Sequence, residues 1–163
     1  MTRFIIPPAN FFRIDVMDDP YNLKRFVDAQ NPVYEQVRSE LKRARKRTHW
    51  MWFIFPQIAG LGSSSMARHY AIGSLDEARA YLSHPVLGVR LVECTQLVNQ
   101  AQARSIDEIF GYPDDLKFRS SMTLFARATA DNHVFRQALE TYFGGEADGQ
   151  TEALLSPPHE PPV

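Results

Sequence analysis

The residues best suited to bind a ligand lie in one stretch, from Thr48 to Ser65. Its first eight residues hold a histidine, both tryptophans of the chain and two phenylalanines, and a run of glycine and serine follows. Amides of a glycine-rich turn bind phosphate, and an indole ring stacks on a planar ligand. The stretch therefore predicts a site for a nucleotide-like or phosphorylated small molecule.

Each residue type in this stretch has a chemical role in such a site. His49 would donate to a phosphate or act as a general acid or base, and Gln57 would bind a polar edge of the ligand. The indoles would stack, and a nearby lysine would supply charge. The predicted ligand-binding residues here are Lys46, His49, Trp50, Trp52, Gln57, Gly60, Gly62 and Ser63.

A structural interpretation of the same stretch stays open. In it the aromatic side chains fill the core, the glycines make a turn, and the preceding basic run is a solvated helix end favoured by the helix dipole. The loop matches neither the Walker A pattern nor GxGxxG. Of the aromatic residues, we expect Trp52, Phe53 and Phe55 in the core, and Trp50 with His49 and Gln57 on a cavity wall.

A second candidate group follows later, between Lys117 and Thr123. Hydroxyl side chains are unusual inside a helix because they compete with its backbone hydrogen bonds. Lys117 and Ser121 share one helical face, and Ser120 lies beside them, so the three form a predicted binding surface for an anion. The alternative is that the hydroxyls bond back to the helix at a close helix contact.

Other reactive groups give no pattern. The five histidines show no metal-binding motif, and no cofactor motif is present, so we expect neither a metal nor a cofactor. The single cysteine, Cys94, lies on a predicted core stripe, which favours an inert buried thiol. No catalytic residue is assigned.

The elements that must position these residues are helices. A first helix is predicted over Tyr21–Gln30, and a second begins at Asn31-Pro32. Capping boxes at Ser74 and Ser105 begin two more. The clearest helix runs from Val86 to Gln102, another follows Tyr112-Pro113, and a last one, capped by Asp131, ends at Gly144.

The predicted architecture is all-α, a single compact domain of six to seven helices over residues 20–144. Residues 1–19 form an apolar extension that we expect to lie on the domain or on a neighbouring molecule. Residues 145–163 are acidic and proline-rich, which predicts a disordered tail. The oligomeric state stays open.

Composition narrows the classes of function. The 163 residues are 44% hydrophobic and 23% charged, as in one soluble domain, and no apolar run is long enough for a membrane helix. The net charge of −1 does not favour nucleic acid or a membrane surface as a partner. The lone cysteine fits a reducing compartment, so a cytoplasmic location is expected.

Several ordered motifs together resemble one family. They are Asn22–Gln30, His49–Gln57, Gly60-Leu-Gly62, Tyr81–Pro85, Ile109–Gly111 and Lys117–Phe125. The family is an uncharacterised, mainly bacterial group of small proteins, a domain of unknown function whose members are sometimes labelled calpastatin. The resemblance covers roughly residues 20–143 and implies a multihelical all-α fold and no established activity.

The label calpastatin does not fit, since nothing in the chain resembles a protease-inhibitor repeat. One segment also departs from the family, which usually has a glycine-containing turn with a lysine before the tryptophans. Here that segment is arginine-rich, and we assign Lys46 to the lysine position.

Two binding functions therefore stay open, beside a structural or oligomeric role in which residues 1–16 cover a partner subunit. One is a small-molecule binding protein, with an enzyme of unassigned reaction included. The other is a non-catalytic module that binds protein or nucleic acid through the basic helix end at residues 38–47.

Overall fold

The computed structural model describes residues 18–156, and every regular element among them is a helix. The ten helices are α1 Lys24–Gln30, α2 Tyr34–Lys42, α3 Met51–Ile54, α4 Ser65–His69, α5 Leu75–Ser83, α6 Leu87–Gln100, α7 Ile106–Phe110, α8 Asp114–Ala128, α9 His133–Phe143 and α10 Gly149–Leu155. The predicted all-α class is confirmed. There are more helices than expected because the aromatic stretch, the loop after it and the C-terminal region each form a short one.

Helix α8 is the centre of the domain. It packs against α3, α5, α7, α9 and α10, and α6 closes the core by packing on α5, α9 and α2. Phe118, Met122 and Phe125 of α8 are fully buried. Cys94 lies on the buried stripe of α6, as predicted, and burial raises the pKa of its thiol to about 12.

Local signals set several helix ends. Ser105 and Glu108 form the predicted capping box, and α9 ends at Gly144, whose φ of 62° is left-handed. Ser74 caps α5 as predicted, with its hydroxyl accepting from the Glu77 N–H at 3.1 Å. The Glu77 carboxylate does not complete the box, because it accepts from the Gly73 N–H and pairs with Arg25 instead.

Three predicted helix starts are wrong. Helix α1 begins at Lys24 because the Asp19 carboxylate accepts the N–H groups of Leu23 and Lys24 at 2.8 and 3.0 Å. Helix α2 begins at Tyr34, so Pro32 lies in the turn before it. Asp131 does not cap α9. Asn132 occupies that position, and its amide donates to the Ala126 carbonyl at 2.9 Å.

The disorder predicted from residue 145 is wrong for the segment up to residue 156. Asp148 caps α10 by accepting from the Thr151 N–H at 2.9 Å, and Thr151 is fully buried. The Thr123 hydroxyl on α8 accepts from the Asp148 N–H at 2.8 Å. The acidic side chains that suggested a solvated tail instead pair with α8: Glu146 with Arg119, and Glu152 with Arg127.

Residues 1–17 and 157–163 lie outside the described residues, and so do the predictions made for them. Within residues 18–156, no helix is both long and apolar enough to span a bilayer.

Candidate functional site

The segment before the aromatic stretch is organised by one buried carboxylate, that of Glu40. It accepts hydrogen bonds from the N–H groups of Arg47 and Thr48 at 2.6 and 2.9 Å, and from the Thr48 hydroxyl at 2.6 Å. The Gln36 amide and the Trp50 indole also donate to it, each at 3.0 Å. Burial raises the pKa of Glu40, but the hydrogen bonds outweigh burial and lower it to about 2.

Sequence reasoning missed Glu40, although a signal was present. Glu40 follows Val37 by three residues and precedes Leu41, so it lies on the apolar stripe of α2. A carboxylate on a core stripe needs donors, and the loop that follows supplies them.

The two tryptophans have the opposite roles from those predicted. Trp50 is 1% exposed and packs against Phe55 and Phe110 in the core, so it is not on a cavity wall. Its indole N–H donates to Glu40, so the burial of Trp50 leaves no unpaired hydrogen-bond donor on the ring. Trp52 is only partly buried and lines an open groove. Phe53 and Phe55 are buried, as predicted.

The groove, called here the Trp52 groove, has a volume of about 640 Å³. Its walls come from the loop after α3, from α4, from the start of α8 and from the start of α10. The lining residues are Trp52, Gln57, Leu61, Gly62, Ser63, Ser64, Ala67, Pro113, Leu116, Lys117, Ser120, Asp148, Gly149 and Gln150.

Six predicted site residues meet in this groove: Trp52, Gln57, Gly62, Ser63, Lys117 and Ser120. The two candidate groups therefore come together, although the sequence separates them by more than fifty residues. The lining residues Leu116, Asp148 and Gln150 were missed. The composition of the segment that contains Asp148 and Gln150 predicted a disordered tail. Their place in the groove is therefore evident only from the packing of α10 on α8.

Three charged groups form a chain at the edge of the groove. The Lys117 ammonium lies 5.1 Å from the Trp52 ring centroid and 3.4 Å from an Asp114 carboxylate oxygen. The other oxygen of Asp114 pairs with the Lys46 ammonium at 2.8 Å. Lys46 is 8% exposed and lies over the Trp50 ring, so it stands behind the groove rather than in it. Lys117 is the cation that a ligand in the groove would meet.

The hydroxyl groups of α8 divide between the two interpretations. Ser120 lines the groove, yet its hydroxyl donates to the Leu116 carbonyl at 3.1 Å. Thr123 donates to the Arg119 carbonyl at 2.8 Å. The hydroxyls of Ser120 and Thr123 therefore bond back to their own helix, as the structural interpretation predicted. Ser121 is fully buried and does not line the groove, and its hydroxyl has no hydrogen-bond partner among the described residues.

A smaller cavity lies behind the same groove wall, and the predicted site residue Gly60 lines this cavity instead of the groove. Trp52, Gln57, Gly62 and Ala67 line both spaces, and Gly60 lines only the smaller one. The wall is fixed by backbone bonds of 2.8 Å from Ile72 N–H to the Gln57 carbonyl and from Ala59 N–H to the Ile72 carbonyl. At Gly62 an added Cβ would lie 2.6 Å from the Ala67 Cβ, so this close approach requires glycine.

His49 is exposed and does not line the groove, so it is not available there as an acid or base. Among residues 18–156, the titratable side chains on the groove wall are those of Lys117 and Asp148, and Asp148 is bonded to Thr151. Across residues 18–156, no three His, Cys, Asp or Glu side chains cluster in a way that could hold a metal ion. The groove lining thus offers an aromatic face, one cation, one carboxylate that is bonded to Thr151, and neutral hydrogen-bonding groups.

Comparison with known proteins agrees with this fold. The structure is similar to the crystal structure of the conserved hypothetical protein Rv1873 from Mycobacterium tuberculosis, with a TM-score of 0.83 and 64% sequence identity. The match covers 84% of this chain and 98% of that one. No functionally curated protein matches the sequence. A family model described as a protein of unknown function, DUF1810, matches residues 20–155, which include α10. The chain therefore belongs to the DUF1810 family of proteins of unknown function.

Proposed function

We propose that the protein binds a small ligand that carries a planar ring and a phosphate or similar anionic group, in the Trp52 groove. The observation that carries the proposal is the pairing of Lys117 with Trp52 on one groove wall, 5.1 Å from ammonium to ring centroid. An indole face binds planar rings, and an ammonium binds phosphate as a point charge.

The charge balance supports an anionic ligand. Asp114 is shared between two ammonium groups, those of Lys46 and Lys117, so one carboxylate faces two cations. These three groups together keep one positive charge at this end of the groove, and the Asp148 carboxylate, which also lines the groove, is bonded to Thr151. Lys117, at 25% side-chain exposure, is the more accessible of the two cations. A ligand phosphate at Lys117 would neutralise the remaining charge.

The rest of the groove lining supplies neutral hydrogen-bonding groups. The amides of Gln57 and Gln150 and the hydroxyls of Ser63 and Ser64 line the space. Ser64 accepts from the Ala67 N–H at 3.1 Å, and its own hydroxyl hydrogen stays available to a ligand. Such groups suit the hydroxyls of a sugar or the polar edge of a base.

The proposal is for binding and names no reaction, because Lys117 and Asp148 are the titratable side chains among the described residues of the groove wall, and the Asp148 carboxylate caps α10. We place this activity in the cytoplasm, where a buried free thiol such as that of Cys94 is common.

A thermal-shift screen tests the proposal. Mononucleotides, sugar phosphates and inorganic phosphate would be added to the wild type and to Lys117→Met and Lys24→Met. Lys24 is a matched control because it lies on α1 with a 71% exposed side chain, in a pair with Asp28. We expect at least one phosphate monoester to raise the Tm of the wild type and of Lys24→Met, but not that of Lys117→Met. Equal shifts in both variants, or no shift with any compound, would contradict the proposal.

A further inference from the structure

A second surface, called here the basic loop, carries the exposed cations Lys42, Arg43, Arg45 and Arg47. None of them forms an ion pair with any residue between 18 and 156. Within residues 18–156, fewer cations are therefore unpaired than the sequence of the basic helix end, residues 38–47, suggested. Arg38 is neutralised by Glu35 and Glu93, and Lys46 by Asp114.

The backbone of the basic loop is held in place. The Arg45 N–H bonds to the Glu40 carbonyl at 3.0 Å, and the Arg47 N–H bonds to the Glu40 carboxylate at 2.6 Å. The loop therefore presents its cations from a fixed position. The dipole of α2 favours cations in its last turn only, so it does not account for Arg45 and Arg47, which lie beyond the helix end.

Contacts connect the basic loop to the Trp52 groove. The Lys46 N–H bonds to the Ile109 carbonyl at 2.7 Å, which sets the loop against the turn between α7 and α8. Tyr112 in that turn is 79% exposed, and Pro113 after it lines the groove. Lys46 also reaches Lys117 through Asp114. The basic loop thus packs against the turn that carries the exposed Tyr112, and the residue after Tyr112 lines the groove.

This region combines the cations of the basic loop with the exposed ring of Tyr112 and the partly buried ring of Trp52, as surfaces that bind single-stranded nucleic acid combine cations with aromatic rings. The segments 42–47 and 107–117 that form it hold six cations and four carboxylates, although the whole chain has a net charge of −1. Binding to a polyanion depends on the local charge of the surface more than on the total.

We infer that the ligand of the Trp52 groove is one nucleotide of a single-stranded nucleic acid, whose backbone continues past Tyr112 onto the basic loop. The inference rests on the proposed function, since the groove must first accept a nucleotide. Stacking on Trp52 and Tyr112 fits unpaired bases, and the phosphates between them would face Lys117 and the loop arginines.

Fluorescence anisotropy with labelled single-stranded RNA and DNA 12-mers tests the inference, with mononucleotides as competitors. The loop variant is Arg43→Ala/Arg45→Ala/Arg47→Ala. The control is Lys24→Ala/Arg79→Ala/Arg136→Ala, which removes three exposed cations elsewhere and so changes the net charge equally. A third variant, Trp52→Leu, removes the stacking face of the groove.

We expect an oligonucleotide to bind about tenfold or more tightly than a mononucleotide, with the gain lost in the loop variant and kept in the control. The slope of log K against log salt should fall by about 2 in the loop variant, since each phosphate contact on a single strand contributes about 0.7. Trp52→Leu should weaken both oligonucleotide and mononucleotide binding.

Several results would overturn the inference, and they differ from those that overturn the proposed function. If mononucleotides bind but oligonucleotides bind no tighter, or if loop variant and control behave alike, the inference fails and the proposed function stands. If polyglutamate competes as well as RNA of equal charge, the loop recognises acidic polymers in general and the inference also fails. If neither mononucleotides nor oligonucleotides bind, both fail.

Discussion

The indole N–H of Trp50 donates to a carboxylate oxygen of Glu40 at 3.0 Å, deep in the core and ten residues along the chain. The same oxygen accepts the N–H groups of Arg47 and Thr48. One carboxylate therefore fixes a core tryptophan and the loop that places Lys46 against Asp114. Through Asp114 it helps to set the position of Lys117 at the Trp52 groove.

Glu40→Gln should destabilise the fold by about 2 to 4 kcal/mol, because five donors would lose an ionised acceptor in a buried site. Denaturant unfolding measures the change. Glu35→Gln is the matched control on the same helix, since the Glu35 side chain is 83% exposed. It should change the free energy of unfolding by less than about 0.5 kcal/mol. Equal effects of the two substitutions would show that Glu40 does not organise the loop.

The low pKa of Glu40 also predicts a pH dependence. Its folded-state pKa of about 2 lies below the ordinary value of 4.5, so its contribution to stability is fully present above about pH 4.5 and is lost as the pH falls towards 2. That contribution is about 3 kcal/mol. The difference in unfolding free energy between wild type and Glu40→Gln should therefore shrink from pH 5 to pH 3. A difference that stays constant over this range would contradict the assignment.

Ala44→Gly should stabilise the protein by about 0.5 to 1 kcal/mol. Ala44 has a φ of 55°, a left-handed conformation that costs any residue with a Cβ, and it ends α2 with its N–H bonded to the Leu41 carbonyl. Ala80→Gly in the interior of α5 is the control, and it should destabilise by about 1 kcal/mol. Destabilisation by both substitutions, measured by chemical unfolding, would argue against the left-handed turn.

The left-handed turn at Ala44 lies in the segment for which the family resemblance implied a glycine. The structure has a left-handed residue in the segment where the resemblance implied a glycine-containing turn with a lysine, and glycine adopts that conformation most readily. Here alanine occupies the position, followed by Arg45 and Lys46.

The helix class and several helix ends followed from local patterns. Capping serines, glycine stops and apolar spacing act within a few residues, so Ser105, Gly144 and the buried stripe at Cys94 were predictable. The C-terminal helix was not, because its acidic composition resembles disorder when the Arg119 and Arg127 partners on α8 are unknown.

The site was predictable in its residue types but not in its geometry. Trp50 and Trp52 are two residues apart, and no periodic pattern says which one faces the core. Glu40 decides it, because its carboxylate satisfies the Trp50 N–H in the core. Buried Gln30 was missed for a similar reason, since its amide donates to the Phe53 carbonyl and the Tyr81 hydroxyl, both distant in sequence.

The most direct test of ligand binding in the Trp52 groove uses the two indole N–H signals in a ¹H–¹⁵N NMR spectrum, assigned with Trp52→Phe. Titration with mononucleotides and phosphate monoesters should shift the Trp52 signal progressively and leave the Trp50 signal unchanged, because Trp50 is buried and bonded to Glu40. The shift of Trp52 should be absent in Lys117→Met. A Trp52 signal that no compound moves at millimolar concentration, or equal movement of both signals, would contradict the account.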